Sequence, residues 1–295
     1  MNIEIMPTKE QMKSWINKYV PDKDFFFVDE SGLSNLKGHL SDVLVIPKEE
    51  FFNRSSYKQI DLANSYMYWN ISSKAKFVIV ANPSWITNLS EQKAREIFEM
   101  QFTMGRGLIF PLGDFPQINI IPKDYIVSEK DEEYVVIQQD MWKAMHYAIK
   151  EDLLLTYAKL WDDWTCCEIP KQTPLHIRNY TNKFTTLSGS NCLAATLFAV
   201  TEQDWILDEW VHQETFKFAL ESAGYVLLNN DELSNGDVIA WVDSDNVIQH
   251  ASYHISNNFF FNKNGQTFFN PWTVTHYNQL SKRWQKYNMV IYRKR

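Results

Sequence analysis

Val247-Ile248-Gln249-His250-Ala251-Ser252-Tyr253-His254-Ile255-Ser256-Asn257-Asn258-Phe259-Phe260-Phe261-Asn262-Lys263-Asn264-Gly265-Gln266 decides how the last part of this chain folds. Its first half alternates with a period of two, which puts His250, Ser252 and His254 on one face of a strand and Ala251, Tyr253 and Ile255 on the other. Ser256-Asn257-Asn258 reverses the chain, so the segment from Phe259 becomes an antiparallel partner. That pairing brings Asn262 beside the histidine strand. An amide oxygen there can accept a hydrogen bond from one nitrogen of His250, fixing its tautomer and leaving the other nitrogen for a proton transfer.

Upstream, Leu233-Ser234-Asn235-Gly236-Asp237-Val238-Ile239-Ala240-Trp241 reads as a turn feeding a strand. Before it, 206–223 reads as a helix that ends at Gly224, a residue suited to the position just past a helix. Earlier still comes Ser188-Gly189-Ser190-Asn191-Cys192-Leu193-Ala194-Ala195-Thr196-Leu197-Phe198-Ala199, a small polar segment running into an apolar helix former. Cys192 therefore falls at a helix N-terminus, where unpaired N–H groups and the helix dipole favour thiolate, the nucleophilic form. Thiol, imidazole and a polar third group follow one another in an order such sites use.

These residues resemble the NlpC/P60 superfamily of papain-like cysteine hydrolases. The shared features are a cysteine at a helix start, Gly-Asp followed by apolar residues and an aromatic, a strand opening His-Ala-Ser-Tyr, and a polar residue about a dozen positions later. The resemblance covers roughly 175–295 and implies Cys192 as nucleophile, His250 as general base, Asn262 as its orienting partner, and the Cys192 N–H as part of an oxyanion hole. Asn191-Cys192-Leu193-Ala194 departs from the family's usual Asp-Cys-Ser-Gly, which points away from its peptidoglycan-cleaving branch. Asn264 and Gln266 share the parity of Asn262, and Asn270-Pro271-Trp272 is similar to the Asn-x-Trp of papain-type proteases, so the third position stays open among them. His254 lies on the face of His250, as a wall residue or, in a different strand register, as the base in its place, and His176, His212 and His276 lack spaced partners.

The first half has a different texture. Phe25–Val28, Val43–Ile46 and Phe77–Val80 read as buried strands, as do 108–111, 118–122 and 134–137. Asn88 or Ser90 can cap a helix over 88–104 that turns Ile97, Met100 and Phe102 inward, and Gly105-Arg106-Gly107 reads as the turn that stops it. A long helix is expected over 139–164, with Trp161-Asp162-Asp163-Trp164 at its solvated end. Pro170 and Pro174 mark a linker, giving a mixed α/β domain over 1–170 and a papain-like domain over 171–295, α+β overall.

Composition narrows the function. With 29 basic and 36 acidic residues the net charge is −7, and no Lys/Arg block is present, so neither nucleic acid nor an anionic membrane is an expected partner. Cys166, Cys167 and Cys192 are too few for a disulfide framework, and no signal sequence or apolar run of membrane-spanning length is visible, so a cytoplasmic protein is expected. No metal-ligand spacing occurs, and no cofactor is expected. The expected activity is that of a cysteine amidase or peptidase acting on a small peptide, amide or isopeptide through a thioester. The alternatives are an acyltransferase using the same acyl-enzyme, or an inactive papain-like binding module.

Overall fold

A computed structural model describes residues 2–228 and 232–295. The chain divides into two compact units, one formed by Met1–Met12 with Ala158–Arg295 and one by Lys13–Tyr157. The division thus falls before the expected boundary at 170, and Pro170 and Pro174 lie inside the C-terminal unit. Its first strand supplies one reason. β1 (Asn2–Glu4) pairs antiparallel with Thr165–Cys167, which ties the start of the chain to the C-terminal unit.

Within residues 13–157, β2 (Asp24–Val28), β3 (Leu44–Pro47) and β4 (Phe77–Ala81) form an antiparallel sheet in the order β2-β4-β3, as their apolar runs suggest. Helix α1 (Glu91–Thr103) is capped by Ser90, whose hydroxyl accepts from the Lys93 N–H. Its fully inward positions are Ala94, Ile97, Phe98 and Gln101, whereas Met100 and Phe102 only flank the core. Gln101 is fully buried because it stands in for a missing strand. Its amide accepts from the Phe27 N–H at 2.7 Å and donates to the Phe27 carbonyl at 3.1 Å on the sheet edge. The Gly105–Gly107 turn is required by crowding, since a Cβ on Gly107 would lie 2.1 Å from the Ser65 carbonyl oxygen.

A second sheet holds β5 (Ile109–Pro111), β6 (Ile126–Glu129) and β7 (Glu132–Val136) in the order β5-β7-β6. The expected strand over 118–122 is instead a single 3₁₀ turn, Ile118–Ile120, where Pro122 removes a ladder donor. The expected helix over 139–164 is broken. Helix α2 (Gln139–Ala144) ends at an extended Met145, α3 (Tyr147–Ala158) follows, and Trp161–Trp164 is not helical.

In the C-terminal unit, β8 (Thr165–Cys167) is the partner of β1. β9 (Tyr225–Leu228), β10 (Val238–Val242), β11 (Ile248–Ser256), β12 (Phe259–Lys263), β13 (Trp272–His276) and β14 (Asn288–Lys294) form one antiparallel sheet, ordered β13-β12-β11-β10-β14-β9. β11 and β12 form the expected antiparallel hairpin, with Tyr253 opposite Phe261 and His254 opposite Phe260. Helices α4 (Cys192–Thr201) and α5 (Gln213–Ser222) cover one face, where Leu193, Ala194, Leu197 and Phe216 pack on Val238, Ala240 and Ala251. The expected helix over 206–223 is shorter, because Asp204–Asp208 is a 3₁₀ turn and His212 is extended. Helix α6 (Tyr277–Trp284) covers the other face, where Leu280 meets Ile239, Trp241 and Phe260. The fold is therefore a mixed α+β arrangement built on antiparallel sheets. Among the described residues no helix is long and apolar enough to cross a membrane.

The Gly236-Asp237 pair has a structural task. Gly236 adopts a left-handed φ of 89°, and Asp237 is buried in a fork with Arg293, Nε to Oδ1 at 2.9 Å and Nη2 to Oδ2 at 2.8 Å. The fork joins the entry of β10 to β14, next to it in the sheet.

Candidate active site

Asn191 sets the position of Cys192. Its side-chain oxygen accepts from the Ala194 N–H at 3.0 Å and its NH₂ donates to the Val211 carbonyl at 2.7 Å, so Cys192 becomes the first residue of α4. The Cys192 sulfur faces the N–H groups of Ala251, of Leu193 and of Cys192 itself. Ala251 follows His250 in β11, so this contact brings the helix N-terminus to the start of the histidine strand. Cys192 and His250 line one cavity of about 500 Å³, together with Gln249, Gly265, Gln266 and Trp284. Within this lining the Cys192 sulfur meets the Ala251 side of β11 and the His250 ring the opposite, Trp284 side, and among the described residues no hydrogen bond joins the two.

Electrostatics alter the expectation for the thiol. Burial pushes the Cys192 pKa up, and the three N–H groups and the Lys263 ammonium pull it down without overcoming burial. The resting group is therefore a thiol rather than the thiolate that a helix N-terminus alone would favour. Burial also takes the His250 imidazole down to about 3, opposed by its bond to Asn262 and reinforced by the Arg283 charge. His250 is neutral at pH 7, but a value so far below the working pH also makes it a weak proton acceptor.

His250 Nε2 lies 2.6 Å from Asn262 Oδ1. An amide oxygen only accepts, so Nε2 carries the proton and Nδ1 is the ring's basic nitrogen. Ser252 Oγ donates to the same amide oxygen at 2.9 Å. The Trp284 indole stacks flat on the imidazole, with centroids 4.2 Å apart and planes 9° from parallel, and Trp241 stands 5.6 Å away on another side. Hydrogen bond and ring stack together leave the imidazole little rotational freedom.

The candidate third residues differ in what they bond. Asn262 is the residue that bonds the imidazole. Asn264 bonds Asn262 rather than His250, through Asn262 Nδ2 to Asn264 Oδ1 at 2.8 Å. Asn270 turns elsewhere, its Oδ1 accepting from the Thr267 N–H and hydroxyl and its Nδ2 donating to Asp162. Gln266 lines the cavity wall. His254 is held by carbonyls, Nδ1 at 2.7 Å from that of Ser234 and Nε2 at 2.6 Å from that of Asn257. His276 caps α6, His176 meets the Ala199 carbonyl, and His212 lines the cavity next to Trp210. Cys166 and Cys167 are buried in β8, and burial raises the Cys166 thiol to about 11.

Three residues near the site gave no sequence signal. Trp284 stacks on His250 from a helix more than thirty positions downstream of it. Lys263 is completely buried, with its amine donating to the carbonyls of Gly265 at 2.7 Å and Thr267 at 3.1 Å, and burial lowers its pKa to about 7 against the charges of Asp162 and Cys192. Asp162, expected at a solvated helix end, has a side chain only 1% exposed and binds Arg283 at 3.0 Å. Among the described residues no group of His, Cys, Asp and Glu is arranged to hold a metal ion. Comparison with family models, curated proteins and solved structures returns no match.

Proposed function

We propose that the chain is a cysteine amidase or peptidase with a papain-like C-terminal unit. One observation carries the reading: a buried, neutral imidazole, held through Nε2 by an amide oxygen, lines the same cavity as a cysteine at a helix N-terminus. In the reaction the Cys192 sulfur attacks the amide carbonyl carbon while His250 Nδ1 takes the thiol proton. The N–H of Cys192 faces the developing oxyanion. The tetrahedral species collapses to a thioester as the C–N bond breaks, and the imidazolium gives its proton to the departing amine. Water then attacks the thioester, His250 takes the water proton, and thiol and carboxylic acid are released. The cavity wall is formed by amides, tryptophans, aliphatic residues and two histidines, with no carboxylate, lysine or arginine among its lining residues, which suits an uncharged amide or peptide segment.

Desolvation of the Cys192 thiol favours a second reading, a recognition module that keeps the cleft and has lost the chemistry. One experiment decides between them. Peptidyl p-nitroanilides and p-nitrophenyl esters are offered to the wild type, Cys192→Ala, His250→Ala and Asn262→Ala. The hydrolase reading requires turnover by the wild type, a loss of about 10³-fold or more in each of the first two variants, and a smaller loss in the third. A wild type that turns over none of them, with Cys192 no more reactive than Cys166 or Cys167, leaves the recognition module.

A further inference from the structure

The polar groups behind His250 form a chain with a direction. Asn262 Nδ2 donates to Asn264 Oδ1 at 2.8 Å, and Asn264 Nδ2 donates to Asp162 Oδ1 at 2.9 Å. Asp162 Oδ1 also takes Arg283 Nη1 at 3.0 Å and the Asp163 N–H at 2.9 Å, while Oδ2 takes Asn270 Nδ2 at 3.2 Å. With four donors on its two oxygens the carboxyl group acts only as an acceptor. An amide between two partners must turn its NH₂ to an acceptor and its oxygen to a donor. The carboxylate therefore orients Asn264, Asn264 orients Asn262, and Asn262 presents its oxygen to His250 Nε2. Only one ring tautomer satisfies the chain, the one with its proton on Nε2 and its lone pair on Nδ1.

We infer that Asp162 is a remote positioning residue that sets the tautomer of His250 through the amide relay Asn264–Asn262. This inference rests on the cysteine hydrolase reading for its functional meaning, and on the hydrogen-bond polarity alone for its physical content. Asp162 also acts along a second route. Its partner Arg283 precedes Trp284 in α6, so the same carboxylate holds the helix whose indole stacks on the imidazole. Gly265 is part of the same construction, because Asn270, one of the four donors to the carboxylate, occupies the space a Cβ would need.

The test uses the full chain with ¹⁵N-labelled histidine, and reads the His250 tautomer from long-range ¹H–¹⁵N correlations at pH 7. In parallel, the acylation rate of Cys192 by p-nitrophenyl acetate is followed by mass spectrometry. Asp162→Leu removes the acceptor on which the relay ends. Asn264→Ala cuts the relay but leaves the Asp162–Arg283 pair intact, and so keeps the test valid if the first variant fails to fold. Each variant is expected to move part of the His250 population to the Nδ1–H tautomer and to slow acylation about tenfold, the scale of an outer partner of a working histidine. An unchanged tautomer in Asn264→Ala, with Asn262→Leu shifting it, overturns the inference and leaves the hydrolase reading standing. Failure of that reading looks different: wild-type Cys192 acylates no faster than Cys166 or Cys167, whatever the tautomers show.

Discussion

At the scale of single residues, the site depends on a histidine that the fold keeps uncharged. The ordinary imidazole pKa is about 6.5, and burial takes that of His250 to about 3. Between these values the unfolded chain binds a proton that the folded chain refuses, so His250 stabilises the fold above the upper value and loses that contribution as pH falls. The slope is at most about 1.4 kcal/mol per pH unit from this one group. We therefore expect chemical denaturation of the wild type to show a falling midpoint from pH 6.5 toward 4, and His250→Gln to flatten that fall. Gly265 offers a second check. A Cβ at this position would lie 2.4 Å from Asn270 Oδ1, among side-chain atoms pinned by Thr267 and Asp162. Gly265→Ala should cost about 1–3 kcal/mol in thermal or urea unfolding, the usual penalty for overpacking, whereas Gly38→Ala, where nothing lies within 4 Å, should cost far less.

At the scale of elements, helix α4 hangs on its cap. Asn191→Ala removes the bond to the Ala194 N–H and the tie to Val211, and is expected to cost about 1 kcal/mol, read as a Tm lower by about 2–4 °C. The same residue shows why some of the site could be read from the sequence. A cap, an apolar helix and a two-residue alternation are local signals, so the start of α4, the faces of β11 and the approach of Asn262 to His250 were all visible there. What escaped depended on distant partners. Asp162 reads as solvated beside Asp163 because the groups that bury it, Asn264, Asn270 and Arg283, lie more than 100 positions away. Helix propensity likewise continues through 145–146 and 209–212, where the chain breaks its helices. The thiol was misjudged for a related reason: the helix dipole is local, but the packing that desolvates Cys192 is not.

At the scale of the whole molecule, the buried titrating groups of the two units push stability in opposite directions with pH. In residues 13–157 burial raises the Asp24 carboxyl to about 6, above its unfolded value of 3.8. The folded unit holds that proton more tightly, so its stability is greatest below the unfolded value and is lost as pH rises through 6. In the C-terminal unit His250 and Lys263 both have lowered values, about 3 and about 7, and each favours the fold more as pH rises through its own window. Hydrogen exchange at pH 8 and pH 5, corrected for intrinsic rates, should show protection in β10–β12 falling toward acid while that in β2–β4 rises. A parallel response in both sheets would assign the pH dependence to other groups.

If His250, neutral and oriented, is the base for Cys192, thioester formation on that cysteine depends on it. The most direct measurement is the rate of thioester formation on Cys192 with p-nitrophenyl acetate, located by mass spectrometry, for wild type and His250→Ala across pH 5 to 8. The account predicts an adduct on Cys192 ahead of Cys166 and Cys167, a rate that holds nearly level to pH 5 because His250 is still unprotonated there, and a loss of about 10²–10⁴-fold in the variant. A wild-type rate that climbs tenfold per pH unit like a simple thiolate, unchanged by His250→Ala, would contradict it.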